Sequence, residues 1–319
     1  MRQEPALLVI DIGGTNTICE TYDLGGRELT SETDSTARVF SQEVEGFVHH
    51  VKGIIQSHMV RYPHTIIASI VVGVPGIVST DGSKVISCPN LQILDGVSLG
   101  EELYAATGVC THVYKDSELA AIAEQQMGAA RGFTSAACVV IGTGIGCGLV
   151  LNDRIWRGEH SLAGELGHTT IIPHGRICTC GRRGCLEMYC SGKAFGRQAI
   201  ELGIVAIDQQ RKDDPNLARL VFDAAKRGDS AAVEVITNGF TLLGIALANL
   251  VNVLNPGIIV LGGGVMSGGS VFWPVIEESY RESVRSSAVS VPAIVESQLQ
   301  AKPVTKGAWV EAKRIVGGC

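Results

Sequence analysis

Charge is sparse along this chain. Only 18% of its 319 residues are Asp, Glu, Lys or Arg, and the formal net charge is −6. No long basic cluster appears, so the broad positive footprint that nucleic acid requires is missing. A membrane span is missing too. The apolar run from Phe240 to Leu254 is short for a bilayer and is interrupted by Thr241, Asn249 and Asn252. It reads as a buried helix. A secretory leader is not expected, because an acidic residue and a glycine turn stand where its apolar core would lie. Without export, the 10 cysteines read as cytoplasmic thiols rather than as a disulfide framework. A cytoplasmic protein with no nucleic-acid and no membrane partner is the expectation.

Two things are abundant. Hydrophobic residues make up 45% of the chain, ample for a large core and more in keeping with two lobes than with one. There are 39 glycines, which suits loops whose backbone comes close to phosphates.

The densest chemistry lies between Gly158 and Gly192. His168, Cys178, Cys180 and Cys185 stand there as His-x9-Cys-x-Cys-x4-Cys. Three thiols and an imidazole at this spacing are the ligand set of a closed, structural zinc site. The alternative is a run of buried, unpaired cysteines. Gly181 and Gly184 flank the short loop that such a knuckle needs. Glu165 precedes His168 by three residues and Glu187 follows Cys185 by two, so a metal that orders this loop also orders both carboxylates.

Upstream, Ala6 to Ile12 reads as a buried strand and Ile18 to Leu24 as its return. Between them, Gly13, Gly14 and Thr15 form a turn whose amides can cradle phosphate, with Asp11 placed to hold a hydrated Mg2+. The theme recurs after Ala136 to Ile141. Gly142, Thr143 and Gly144 make the turn, and Gly148 to Leu151 returns. Two such hairpins suggest an internal duplication, as in two related lobes closing on one nucleotide. Apolar positions from Val44 to Ile55 have helical spacing, and Pro63 ends that helix. Thr65 to Val74 is a strand closed by the turn at Gly76, and a small hairpin centred on Asp81-Gly82 leads to Pro89-Asn90-Leu91. Val109 to Tyr114 is a strand with Lys115 and Asp116 at its carboxyl end, where α/β proteins place their chemistry. The plainer role for Asp116 is a helix cap. Later, Asn216 to Arg227 and Ser230 to Leu254 read as helices. Ile258 to Leu261 is a strand running into Gly262, Gly263 and Gly264. Phe272 to Val284 is a helix, Ala293 to Ser297 a strand and Thr305 to Val316 a closing helix.

Glu-Leu-Gly-His, then Cys-x-Cys-Gly-x-x-Gly-Cys-Leu-Glu, then Ser-Gly resembles the signature of the ROK family, and the other motifs fall in the family's order. The family comprises sugar kinases and sugar-responsive repressors. The resemblance implies an α/β, actin-like ATPase (ribonuclease H-like) fold with two lobes around a nucleotide and sugar cleft. Residues 1–116 would form the small lobe, completed by helix 303–319, and 117–302 the large lobe with its zinc loop at 165–190. The cofactors implied are ATP, Mg2+ and structural Zn2+, and the assembly implied is a homodimer. Asp116 would be the catalytic base. Gly262 to Gly264 would line the adenosine pocket. Gly76, Asn90, Lys115, Glu165, His168 and Glu187 would join Asp116 around the sugar. The expected activity is phosphorylation of a hexose at O6.

Two departures bear on the sugar. Lys115 stands where the family usually has Asn, and Asn90-Leu91 is not followed by the common Pro-Gly-Trp. Both resemble the D-allose kinase branch. Glucose or an N-acylhexosamine is the alternative substrate. A repressor of the same family is disfavoured, since only ten residues, not basic, precede Asp11. A metal-stabilised sugar-binding protein without catalysis is the third reading, and the paired hairpins with Asp11 and Asp116 speak against it.

Overall fold

The computed structural model describes residues 3–204, 216–285, 290–299 and 302–318. Residues 1, 2, 300, 301 and 319, which the expected lobe boundaries include, lie outside that set. Contacts divide the chain into two units. The first takes Met1–Gly128, Ile155–Ala163 and Ala301–Cys319; the second takes Ala129–Arg154 and Gly164–Gln300.

The first unit opens with β1 (Glu4–Ile12), β2 (Asn16–Asp23), β3 (Glu28–Ser35), α1 (Thr36–Val39) and β4 (Ser41–Gln42). It continues through α2 (Glu43–Arg61), β5 (Thr65–Val74), β6 (Ile77–Val78) and β7 (Val85–Ser87). It then runs through α3 (Leu99–Thr107), β8 (Thr111–Lys115) and α4 (Asp116–Met127). Five strands form a sheet in the order β3-β2-β1-β5-β8. The pairs β1–β2 and β2–β3 are antiparallel, whereas β1, β5 and β8 run parallel. Ala6, Leu8 and Ile10 of β1 pack into a core that includes Phe47 and Val51 of α2 and Leu103 of α3. Leu7 and Val9 pack on the opposite face with Leu119 of α4 and with Ala308 and Ala312 near the C-terminus. A strand buried on both faces has no polar alternation, which is why Ala6 to Ile12 reads as one apolar run.

The second unit repeats the plan with β9 (Ala136–Ile141), β10 (Ile145–Leu151) and the start of β11 (Arg154–Ile155), whose Ile155 belongs to the first unit. Next come α5 (Glu187–Cys190), α6 (Gly192–Glu201), α7 (Asn216–Lys226) and α8 (Ser230–Leu254). It ends with β12 (Ile258–Gly262), α9 (Gly264–Gly268), α10 (Trp273–Ser283) and β13 (Ala293–Glu296). Its sheet order is β11-β10-β9-β12-β13, with β9–β10 antiparallel and β9, β12 and β13 parallel. In both sheets the first strand pairs antiparallel with the second and parallel with the fourth. The duplication inferred from two glycine turns extends to whole sheets. By length and composition α8, at 25 residues, could cross a bilayer, but more than half of its most apolar window is buried inside the protein. Asp229 caps it through the Ala232 amide at 2.9 Å, and Asn255 ends it in the left-handed conformation before Pro256.

The chain then returns to the first unit as α11 (Pro303–Gly318). A Cβ at Gly307 would stand 1.9 Å from the Leu119 carbonyl, so glycine alone lets α11 lie this close to α4. Just before α11, Lys302 pairs with Glu20, whose side chain is wholly buried. Burial pushes the Glu20 carboxyl up, but hydrogen bonds from Lys302, Tyr22 and Thr305 outweigh it and hold the group below its usual value.

The α/β expectation holds, with local differences. The helix from Glu43 ends at Arg61, just before Pro63 as expected, whereas β10 begins at Ile145 rather than Gly148, because glycines there obscure the strand. Strand β3 has no counterpart among the sequence-based expectations, since Glu28–Ser35 is polar apart from Leu29 and lies at the sheet edge. Helices α3 and α6 likewise go beyond those expectations.

His58 of α2 is buried between two threonines. Its Nε2 lies 2.8 Å from Thr65 Oγ1 and its Nδ1 3.1 Å from Thr21 Oγ1. The Thr65 hydroxyl donates to the Tyr62 carbonyl, so Nε2 carries the proton and donates to Thr65. Burial holds the ring below its ordinary pKa of 6.5. The unfolded chain therefore takes up this proton first as pH falls. The stability that neutral His58 contributes is full above about pH 6.5 and is lost as pH drops toward the folded value. Urea unfolding at pH 7 and 5.5 should show a smaller loss for His58→Gln than for the natural chain.

Candidate active site

In the first unit, the register of the parallel strands places two carboxylates at one sheet end. Asp11 of β1 pairs with Gly73 of β5, and Gly73 pairs with Tyr114 of β8, two residues before Asp116. Burial, and then the charges of Asp116 and Glu20, push the Asp11 carboxyl up to about 7. That mutual repulsion is the electrostatic setting that a divalent cation relieves. The turn after β1 is fixed from behind by the start of α1. The Thr36 amide donates to the Thr15 carbonyl at 2.8 Å and the Thr36 hydroxyl to the Gly13 carbonyl at 2.7 Å. The Gly13 amide is engaged with the Asn16 carbonyl, which leaves Gly14 and Thr15 exposed at the tip.

Asp116 is the first residue of α4, and its Oδ1 accepts the Ser117 amide at 2.6 Å. Glu118 accepts the Lys115 amide at 3.2 Å, which ties down the residue before Asp116. Arg157 in turn holds Glu118. Its Nε lies 3.0 and 3.1 Å from the two carboxylate oxygens, and its Nη1 donates to the Thr80 carbonyl. Its guanidinium sits 4.6 Å from the Tyr114 ring centre. Neither Arg157 nor Glu118 stands out in the sequence, since nothing local links two residues so far apart in the chain.

Asn90 is exposed in the loop after β7. Asp95 accepts the Cys88 amide at the root of that loop, at 2.5 Å. A Cβ at Gly76 would lie 2.5 Å from the Ser87 carbonyl, so glycine lets the turn after β5 sit on the loop. Burial, with the charges of Asp95 and Asp116 adding to it, pushes the Cys88 thiol up to about 11.

The second unit holds its glycine turn in the same manner. The Gly192 amide at the start of α6 donates to the Gly142 carbonyl at 2.8 Å, and the Lys193 amide to the Thr143 carbonyl at 3.4 Å. Serine caps both supporting helices: Ser35 accepts the Arg38 amide and Ser191 the Ala194 amide. Gly263, at φ 97°, lies where a Cβ would be 2.3 Å from the Ile141 carbonyl, so Gly262 to Gly264 sit beside this turn.

His168, Cys178, Cys180 and Cys185 converge, with their ligand atoms all within 4.8 Å of one another. His168 Nδ1 is 3.6 Å from Cys178 Sγ, and Cys180 Sγ is 3.6 Å from Cys185 Sγ. A zinc tetrahedron with sulfur at about 2.3 Å has edges of roughly 3.8 Å, so the donor set fits that ion. Burial opposes ionisation of Cys180, but bonds from the Arg182 amide, Cys178 and the Arg182 side chain prevail and bring its thiol down to about 6. Gly181 and Gly184, at φ 84° and 77°, make the reversal between the last two thiols. The other imidazole nitrogen, Nε2, faces Glu165 at 3.9 Å. Glu187 opens α5, and its Oε2 accepts the Ile145 amide at 2.8 Å. That last contact gives Glu187 a role toward the glycine turn that the sequence does not reveal. Cys190 is buried, which pushes its thiol pKa up and keeps it protonated.

Two repeats of one sheet, each presenting a helix-backed glycine turn at its end, define an actin-like ATPase fold. The chain belongs to the ROK family, whose sequence profile matches residues 7–314. It is similar to the glucokinase of Halalkalibacterium halodurans, at 35% identity over 285 residues, 85% of this chain and 84% of that one. It is similar to a solved ROK glucokinase from Streptomyces griseus in complex with glucose and AMPPNP, at 26% identity with TM-score 0.78, covering 97% of this chain and 99% of that one. It is similar as well to the transcriptional repressor Mlc of Escherichia coli, at 28% identity over 88% of this chain and 66% of that protein.

The ion pair behind Asp116 has a measurable weight. The Arg157 and Glu118 side chains are only 14% and 12% exposed. Arg157→Met would strand a sheltered carboxylate and should cost about 3 kcal/mol in urea unfolding. Arg157→Met combined with Glu118→Met should recover most of that loss.

Proposed function

We propose that this protein is an ATP-dependent hexose kinase acting at O6, with D-allose as its sugar. At the coarser level it is a sugar kinase, a phosphotransferase with an alcohol acceptor. The observation that carries the kinase reading is the pair of helix-backed glycine turns, with Asp11 and Asp116 at the end of the first sheet. The named glucokinases among its relatives support the same chemistry, and so does the AMPPNP complex.

Asp116 would accept the proton of the attacking hydroxyl, and its hydrogen bond from the Ser117 amide holds it in place for that transfer. Gly13, Gly14 and Thr15 would meet phosphate oxygens through the first turn, and Gly142, Thr143 and Gly144 through the second. The glycines from Gly262 to Gly264 would lie against adenosine. Asp11 would hold Mg2+ through water. Magnesium, when bound, neutralises phosphate charge. Gly76, Asn90 and Lys115 in the first unit and Glu165, His168 and Glu187 in the second would contact sugar hydroxyls. Carboxylate acceptors suit a polyol because charge-assisted hydrogen bonds are the stronger ones. His168, Cys178, Cys180 and Cys185 would hold Zn2+. Zinc, when bound, supplies a closed crosslink with no position open to substrate.

Lys115 and the tryptophan-free loop after Asn90 support allose, which differs from glucose only at C3. A site that hydrogen-bonds one epimer leaves buried groups unpaired with the other. Glucose is the second reading, favoured by the relatives' names. A family repressor is a further reading, drawn from the similarity to Mlc.

Asp116→Asn keeps the side chain's shape and removes the proton acceptor. Turnover should fall by about two orders of magnitude or more while sugar affinity changes far less. A variant that keeps most of its turnover would exclude Asp116 as the base.

The sugar is tested by kcat/KM from ADP release with D-allose, glucose and N-acetylmannosamine. The ratio of allose to either competitor should exceed one. A ratio below one removes allose and leaves the kinase; no ADP release with any sugar removes the kinase.

A further inference from the structure

Ile145, the first residue of β10 after the Gly142 to Gly144 turn, is gripped on both sides by the segment that carries the thiols. Its amide donates to Glu187 Oε2 at 2.8 Å. Its carbonyl lies 2.6 Å from where a Cβ of Gly167 would be, one residue before His168. Further along β10, the Cys147 carbonyl meets the bare Cα of Gly164 in the same way, at 2.1 Å from the notional Cβ. Glu187 stands two residues after Cys185. The four-residue cluster therefore joins the two stretches, Gly164 to His168 and Cys178 to Glu187, that hold Ile145.

The peptide between Gly144 and Ile145 is fixed at both of its polar atoms. Its oxygen accepts the Gly142 amide at 3.0 Å, and its N–H donates to Glu187. A Cβ on Gly144 would come within 2.4 Å of that same Glu187 oxygen, so the carboxylate lies directly against the turn. The orientation of the Thr143 and Gly144 amides depends on this peptide. A hydrogen bond to a carboxylate is about twice as strong as a neutral one.

We infer that Glu187 is a positioning residue for nucleotide binding, which holds the phosphate turn through Ile145 and is itself held by the His/Cys centre. This rests on the assignment of the Gly142 to Gly144 turn to phosphate. The two carboxylate oxygens then divide the work, with Oε2 orienting the turn and Oε1 left for a sugar hydroxyl. Zinc would tune affinity for the nucleotide and not only for the sugar.

The test is the affinity for ADP, measured by calorimetry without sugar, alongside zinc content. Glu187→Ala removes the acceptor and should weaken ADP about tenfold or more. Glu187→Gln keeps an acceptor oxygen for the Ile145 amide and should stay within about threefold of the natural protein. Gly144→Ala pushes the carboxylate away and should weaken ADP at unchanged zinc content. Chelator-depleted protein that remains folded by circular dichroism should lose ADP affinity and regain it on reloading with zinc. Glu187→Ala with unaltered ADP affinity overturns the inference, as does Glu187→Gln as weak as Glu187→Ala. Depleted, folded protein that binds ADP like the loaded form overturns the link to the centre. Should depletion unfold the chain, the Glu187→Ala and Gly144→Ala comparisons at measured zinc content decide the role of Glu187, and cobalt-substituted protein decides the link: its thiolate-to-metal absorption should shift on ADP binding, and an unshifted spectrum overturns the link. Natural protein that binds no ADP would instead refute the phosphate assignment beneath it.

Discussion

Close approach of backbone to backbone is the constraint on which the second unit's chemistry depends. The thiol-bearing segment lies on β10 with no side chains between them, at Gly164 over the Cys147 carbonyl and at Gly167 over that of Ile145. Any Cβ at those positions would overlap main-chain oxygen, which cannot move aside as a side chain can. The same rule governs Gly192 against the Gly142 carbonyl and Gly263 against that of Ile141. The loop that carries His168 and three cysteines thereby becomes a close backing for a hairpin.

The two units solve one problem twice. A glycine turn that must present its amides outward cannot also hold its own carbonyls. In each unit those carbonyls are taken by the first residue of a serine-capped helix, Thr36 in one and Gly192 in the other. The first turn adds a threonine hydroxyl, while the second adds a carboxylate on its far side. Beyond an isoleucine, the Gly and Thr of the turn and the capping serine, the two stretches share little, so the duplication is clearer in hydrogen bonds than in letters.

Legibility in the sequence followed the range of the interactions. The His168 and cysteine set could be read because its members lie close together in the chain. Strands β1, β5 and β9 could be read because burial on both faces leaves unbroken apolar runs. Strand β3 could not, since an edge strand with Thr, Ser and Glu carries no hydrophobic period. The support behind Asp116 was equally silent: Arg157 reaches Glu118 across 39 positions, and either residue alone looks like a solvated charge. Glu187 stands out for its carboxylate, but its bond to a backbone amide 42 positions away needed coordinates. Side chains that act on distant main chain have no signature in composition or spacing.

The return of α11 to the first unit has a consequence for synthesis on the ribosome. β2 emerges early, carrying Glu20 into a buried site, yet the ammonium that neutralises it belongs to Lys302, at a separation of 282 residues. Leu119 of α4 likewise waits for Gly307 before its carbonyl edge is covered. Until α11 is made, the first sheet has only the Tyr22 and Ser31 hydroxyls for Glu20, and the face formed by Leu7, Val9 and Val71 lacks its cover. The second unit has all its strands translated before that face can be closed. The first unit can therefore be completed only after the second has been translated, an order in which apolar surface stays open for longer than in a contiguous domain.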